Sequence, residues 1–290
     1  MNLNTFLRDT LSPRPLEGDA ANGQILSLLS GSSPCMIARF GSTEIKAILY
    51  PHWPLPVRAF FRERVLGNMA TLSGFFPSNP QMIERFSALM IQDMKSLDLL
   101  GSWRIEEALL RKHYPKAHRV ELQSLEPYFS ANPWSQALEG KKVLVVHPFS
   151  STIERQYHEH REFLFPDARV LPRFASLQTV KAVQTIAGQT CEFADWFQAL
   201  DSMKAAIDAS DYDVAILGCG AYGFPLAAHV KRQGKQAIHL GGPTQVLFGI
   251  RGKRWDDHPI ISGFYNEHWT RPLPEDTPGG ARKVEGGCYW

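Results

Sequence analysis

The stretch DVAILGCGAYGFPLAAHVKRQGKQAIHLGG, residues 213–242, constrains this chain more than any other feature. An unalternated apolar run, VAIL, leads directly into Gly218, Gly220 and Gly223 at GxGxxG spacing, and a helical pattern opens on the last of them. Strand, glycine turn and helix in that order predict a βαβ unit. A strand without polar alternation is buried on both faces, and its parallel neighbour is reached only through a crossover.

The same rhythm runs from residue 118 onward. Strands are expected at HRVELQ, at KKVLVVH (141–147), at ARVLP, at 213–218 and at 235–241, with helices over 151–164, 175–187, 192–208 and 223–233. Strands alternating with helices imply right-handed parallel crossovers, hence an α/β fold with an open, mainly parallel, Rossmann-like sheet and helices on both faces. Upstream, residues 1 to about 34 read as a helix and a capped loop. PCMIARF (34–40) then enters Gly41-Ser42 as a strand, and a helix follows from Thr43. The three prolines of PHWPLP predict a loop before a helix at about 58–72, and Met82, Ile83, Phe86, Met90, Met94 and Leu97 share one face of a helix over 81–98. The last fifty residues, with Pro259, Pro272, Pro274, Pro278 and the glycine pairs 279–280 and 286–287, predict an irregular surface wrap. The expected organisation is one domain over 1–290: a helical and strand part to about 117, a Rossmann-like part over 118–255, and the wrap over 256–290.

Composition narrows the functional classes. A hydrophobic content of 44% over 290 residues supplies a sizeable core and excludes wholesale disorder. Thirty-one Lys plus Arg against twenty-nine Asp plus Glu leave +2, too little for a nucleic-acid footprint. Cys35, Cys191, Cys219 and Cys288 form no CxxC pair and suit reduced thiols. Residues 1–15 lack the basic and apolar regions of a secretory signal, and no run reaches the roughly 20 apolar residues of a bilayer span, so a cytoplasmic location is expected. Peripheral membrane contact and a homo-oligomer are both compatible with this composition.

Two strand-to-helix corners carry the chemistry. At the first, glycines let the backbone of Gly218, Gly220, Ala221, Tyr222 and Gly223 approach a ligand, and the helix start presents NH groups to a diphosphate; close helix–strand packing is the alternative use of the same glycines. NAD is disfavoured, because IHLGGPTQ offers His239, Gly241, Gly242 and Thr244 where a ribose-binding acid belongs. At the second corner, ARFGSTEIKAI, Ser42 is placed to cap the helix and Glu44 to complement its dipole. Arg39 at the strand end is not covered by that account; with Gly41 it suits a phosphate or sugar, leaving Glu44 as base or metal ligand.

RFGSTE resembles the RFGDGE signature of the bacterial GT-D-type glycosyltransferases. The likeness continues through VVHPFSSTIERQY (145–157), the block 213–255, FYNEHW and KVEGGCYW, and covers most of the chain from about residue 34. It implies a GT-D-like fold, a nucleoside diphosphate-sugar donor, UDP-sugar first, a glycan or lipid-linked acceptor, and a place in surface-polysaccharide or glycoconjugate assembly. The family's D-x-E acids are implicated in nucleotide-sugar and divalent-metal binding. Ser42 stands where that motif has its first acid, so a bound Mg²⁺ or Mn²⁺ would rest on Glu44, the diphosphate and waters; Arg39 and helix NH groups offer a metal-free alternative.

The remaining candidates sit at further strand ends. His147 precedes Pro148 at the end of a central strand and suits a base or a ligand to sugar hydroxyls, while Ser150 and Ser151 open the next helix and can cap it or donate to phosphate. Gly241 and Gly242 suggest close backbone approach; Arg251, Lys253 and Arg254 suit an anion or a solvated loop. Trp255, Tyr265, Trp269 and Trp290 suit sugar stacking or core packing. An NAD-dependent oxidoreductase or epimerase and a non-catalytic nucleotide-sugar-binding module are the alternative functions.

Overall fold

Strands β1 (Cys35–Arg39), β2 (Leu99–Ser102), β3 (His118–Glu121), β4 (Lys142–His147), β5 (Ser176–Lys181), β6 (Val214–Leu217) and β7 (Gln236–His239) form one sheet in the order β3-β2-β1-β7-β6-β4-β5. Every pairing is parallel. The computed structural model describes residues 14–185, 191–277 and 287–290. Helices α1 (Gly18–Ser30), α2 (Ser42–Leu49), α3 (Leu55–Leu72), α4 (Pro80–Asp93), α5 (Ser150–His160), α6 (Trp196–Asp208) and α7 (Gly223–Arg232) flank it, alongside shorter turns.

The apolar strands are legible as two-faced. Leu99, Ile37, Ile238, Ile216 and Val145 stand in register across five neighbouring strands and point to one face, into a core shared with α1 and α5. Met36, Ala38, Leu144, Val146, Ala215 and Leu217 point to the other, against α2, α4, α6 and α7. A slip of one residue would exchange the two sets, so the packed faces fix the register. The sheet runs through the expected boundary at 117, since β1 pairs with both β2 and β7.

Several expectations need correction. The segment expected as a helix over 175–187 is the edge strand β5 as far as Lys181, with every residue exposed or half-buried; β-branched Thr179 and Val180 suit a half-solvated edge. Residues 186–190 lie outside the described region. ARVLP is no strand but a turn pinned by Arg169 to Asp167 at 2.8 Å, with Val170 and Leu171 buried. The helix expected over 81–98 ends at Asp93, and β2 follows after a single turn at Met94–Ser96; a four-residue strand so close to a helix has too short a pattern to announce itself. The helix expected from 58 begins at Leu55, because Pro56 lies in the first turn, where its missing NH costs nothing. That expected over 151–164 ends at His160, and that over 192–208 begins at Trp196, with Asp195 accepting from the Gln198 NH at 2.9 Å.

Residues 256–277 and 287–290 wrap irregularly, as their prolines and glycines imply, and bury Ile261 and Trp269. Residues 1–13 and 278–286, including Pro278, Gly279, Gly280, Gly286 and the start of KVEGGCYW, lie outside the described region. No helix among the described residues is long and apolar enough to cross a membrane.

Candidate functional site

The carboxyl ends of β1, β7, β6 and β4 lie side by side, and the segments leaving them enclose one cavity of about 270 Å³. Arg39 to Glu44, His147, Gly218 to Tyr222, His239, Gly241 and Gly242 all line it. The corners around Gly41 and Gly220, expected to converge on one diphosphate, face each other across one space, at the edge where open α/β sheets bind ligands. Ser150, Ser151 and Gly223 are not among its lining residues.

The glycines divide their work. Gly220 has φ +56°, a conformation that a side chain disfavours. Gly218 is required by crowding instead: a Cβ there would lie 2.4 Å from His147 Cδ2 and 2.6 Å from Thr244 Oγ1. At Gly223 a Cβ would meet His239 Nε2 at 2.3 Å, so the third glycine of the motif serves packing rather than ligand approach.

At the second corner, Gly41 rather than Ser42 is the helix cap. It has extended geometry and no capping side chain, and Ser42 is already the first helical residue. Glu44 folds back over Gly41, where any Cβ would lie 1.8 Å from its Oε2, and its Oε1 accepts from the Ser73 hydroxyl at 2.8 Å. Half-buried Arg39 lies over the Trp103 ring at 5.2 Å, and the Trp103 indole NH donates to the Phe40 carbonyl at 2.8 Å. The Arg39 guanidinium has no ion pair among the described residues. Loss of water lowers its pKa, against the pull of Glu44, Tyr289 and Glu126, while Arg254 adds a second positive charge nearby. A cation held partly dry without a bonded counter-charge is prepared for an anion.

Two histidines stand between the corners. Burial pulls His147 down to about 3, with Asp276 opposing, and pulls His239 down to about 3, with Arg39 reinforcing, so both are neutral at pH 7. His147 Nδ1 accepts from the Phe149 NH at 2.9 Å, which assigns the ring proton to Nε2. His147 is thereby a hydrogen-bond donor, not a ready base. His239 Nδ1, Thr244 Oγ1 and Gln245 Oε1 are buried without a well-formed hydrogen bond. Burial raises the Cys219 thiol far above its usual range, so it supplies no thiolate nucleophile.

The tail closes one wall. Tyr289 stands beside Gly242, where a Cβ would lie 2.9 Å from its Cε1, and its hydroxyl accepts from Arg254 Nη1 at 3.1 Å. The earlier tail segment explains why Ser150 and Ser151 are not in the cavity. Buried Asp276 accepts from the Thr152 NH at 2.8 Å and from its hydroxyl at 2.7 Å, so the start of α5 already holds a carboxylate of the chain itself. Trp255 and Trp269 are core residues, Tyr265 lies under Arg251, and Trp290 packs on Phe149. None of these four lines the cavity.

Sequence reasoning missed Trp103, Ser73, Gln245 and Tyr289, whose places depend on segments far apart in the chain. Among the described residues no three His, Cys, Asp or Glu side chains gather as a metal cage, and Glu44 is the one acidic side chain lining the cavity. That donor set does not fit a divalent cation held by protein ligands alone.

Two solved structures resemble this chain in fold. One is a selenomethionine-substituted structure of domain of unknown function 1792, with a TM-score of 0.50 and 13% identity, covering 93% of this chain and 95% of its own. The other is described as showing that the highly conserved domain of unknown function 1792 has a distinct glycosyltransferase fold; its TM-score is 0.49, with 13% identity and the same coverage of 93% and 95%. At that identity the first likeness bears on the fold alone. No family model matches the chain, and no curated protein matches it.

Proposed function

We propose that this chain is a glycosyltransferase of the GT-D type that takes a nucleoside diphosphate-sugar, a UDP-sugar first, and passes the sugar to an acceptor hydroxyl on a glycan or lipid-linked carrier during surface-polysaccharide or glycoconjugate assembly. One observation carries the reading: the RFGSTE corner and the glycine-rich corner line a single cavity with an Arg39 guanidinium that no carboxylate pairs among the described residues.

Sugar transfer from a diphosphate requires neutralising the departing group and orienting an acceptor oxygen. Arg39, with Arg254 behind it, supplies positive charge for the diphosphate, and the backbone around Gly220 gives it close approach. His147 Nε2–H donates to a donor oxygen. Glu44, oriented by Ser73, accepts the acceptor hydroxyl proton or orients that hydroxyl. These roles need no metal ion; if Mg²⁺ or Mn²⁺ takes part, Glu44 is its protein ligand and the diphosphate and waters complete its shell.

The test is transfer, or slow donor hydrolysis, over UDP-, GDP- and dTDP-sugars with Glu44→Ala as control. Activity that falls by orders of magnitude in Glu44→Ala supports the roles; full activity removes Glu44 from the mechanism. Ser42 in place of an acid favours a second reading, a nucleotide-sugar-binding module without turnover. That reading expects donor binding with no hydrolysis, and a gain of activity in Ser42→Asp. Stabilisation by NAD alone, and not by UDP, would instead revive the oxidoreductase or epimerase.

A further inference from the structure

Helix α3 is poorly covered for its length. Of its 18 residues only Val65 and Met69 are buried, while Leu55 and Phe60 are 77% and 80% exposed. Phe60 is not a loose side chain. It meets Phe61 edge-on at 4.8 Å, Phe61 meets Trp53 at 5.8 Å, and Trp53 meets Tyr50 at 5.8 Å, so a ladder of rings holds it outward. Beside it a second cavity of about 270 Å³, walled by Leu49, Trp53, Val57, Phe61 and Val65, opens between α2 and α3 and shares Thr43 with the candidate site.

The charges around this apolar tip are mostly positive. Arg62 and Arg64 are exposed on α3 with no ion pair among the described residues, and Arg64 and Lys46 border the second cavity. Lys95 and Lys112 add further positive charge beside His52 and His113; burial first, then Lys112, His52 and Lys95, lower the His113 pKa, so that ring is neutral at pH 7. The acids nearby are Glu84, paired with Arg58 at 2.9 Å, Glu106, paired with Arg104 at 2.7 Å, and Glu63.

We infer that the first turns of α3 dock this protein on an anionic lipid bilayer, with Leu55 and Phe60 entering the interface and Arg62, Arg64, Lys95 and Lys112 facing lipid headgroups. Exposed Leu and Phe beside cations with no ion pair among the described residues suit an apolar surface fringed by anionic headgroups. A second copy of the chain fits worse, because two-fold pairing through this face would bring like charges together. Docking here sets the second cavity, and through Thr43 the candidate site, next to the membrane. The inference does not depend on the reaction catalysed.

The experiment is co-sedimentation of the whole chain with phosphatidylcholine vesicles, with and without one third phosphatidylglycerol, beside a Leu55→Ser/Phe60→Ser variant and an Arg62→Glu/Arg64→Glu variant. Both variants change only exposed side chains, and UDP binding measured on the same samples reports separately on the candidate site. Wild-type protein should bind the anionic vesicles at least about tenfold better than the neutral ones, and each variant should lose about tenfold. No binding to anionic vesicles, or equal binding by the Leu55→Ser/Phe60→Ser variant, overturns the inference. So does a change from dimer to monomer in that variant without vesicle binding, which would assign the face to a second copy.

Discussion

Replacing Arg39 with methionine should separate ligand binding from stability. The substitution forfeits the contact with the Trp103 ring, worth about 0.5–2 kcal/mol. It also removes the cost of holding a guanidinium half out of water with no ion pair among the described residues, and a methionine stem fills much of the same space. These effects oppose each other, so the net change should stay within about 1 kcal/mol, and Tm should move by no more than about 4 °C for a chain of this size. Binding is different, because a charge-assisted hydrogen bond to a phosphate contributes about 2–3 kcal/mol, equivalent to about 30- to 150-fold in Kd. The assay is thermal unfolding with and without UDP, together with calorimetric titration. Wild-type protein at a hundredfold excess over Kd should gain about 2.7 kcal/mol, and the variant at the same UDP concentration only about 0.3–0.9 kcal/mol. A Tm lowered by about 8 °C or more with UDP affinity unchanged would show that Arg39 is a structural residue and refute the assignment.

Three further outcomes are expected. Gly218→Ala should cost about 1–3 kcal/mol in urea unfolding and weaken UDP binding, because its Cβ would lie 2.4 Å from the His147 ring and 2.8 Å from Thr244 Cβ. Asp276→Ala should destabilise by about 2–4 kcal/mol in the same measurement, since it leaves two Thr152 donors without the oxygen that accepts from both and Lys181 without its 3.1 Å partner. The third concerns pH. His147 and His239 are depressed to about 3 from the ordinary 6.5, so below pH 6.5 the unfolded chain binds protons that the folded chain refuses. Their contribution is complete above pH 6.5 and falls toward pH 3 by roughly 1.4 kcal/mol per unit for each ring. His239→Gln should therefore flatten the fall in Tm between pH 6.5 and 4.5 relative to wild type; an unchanged slope would mean that the ring is protonated in the fold.

Local signals announced the parts of the site that depend on one strand and its own turn. Gly218 and Gly220 follow a buried strand directly, and Arg39, Gly41 and Glu44 surround another such turn, so both corners were legible. That they belong to one cavity follows from β7 being inserted between β1 and β6, a long-range pairing that spacing does not reveal. The same limit explains Ser150 and Ser151. Their helix start looks open until Asp276, 124 residues beyond Thr152, takes it. Likewise Tyr289 and Trp103 reach the cavity only through the tail and the segment after β2. The secondary-structure errors have local causes. Leu177 and Val180 are three residues apart and imitate a helical face, while β2 is too short to show a period.

The central claim is that the corners around Gly41 and Gly220 grip a diphosphate between them. A crystal structure of the chain with UDP tests it most directly. The account predicts the β-phosphate within hydrogen-bonding distance of the Arg39 guanidinium and of backbone NH groups in 218–222, with Glu44 facing the side where an acceptor would stand. A diphosphate bound elsewhere, or seated in the cavity with its phosphates turned away from Arg39, would contradict it.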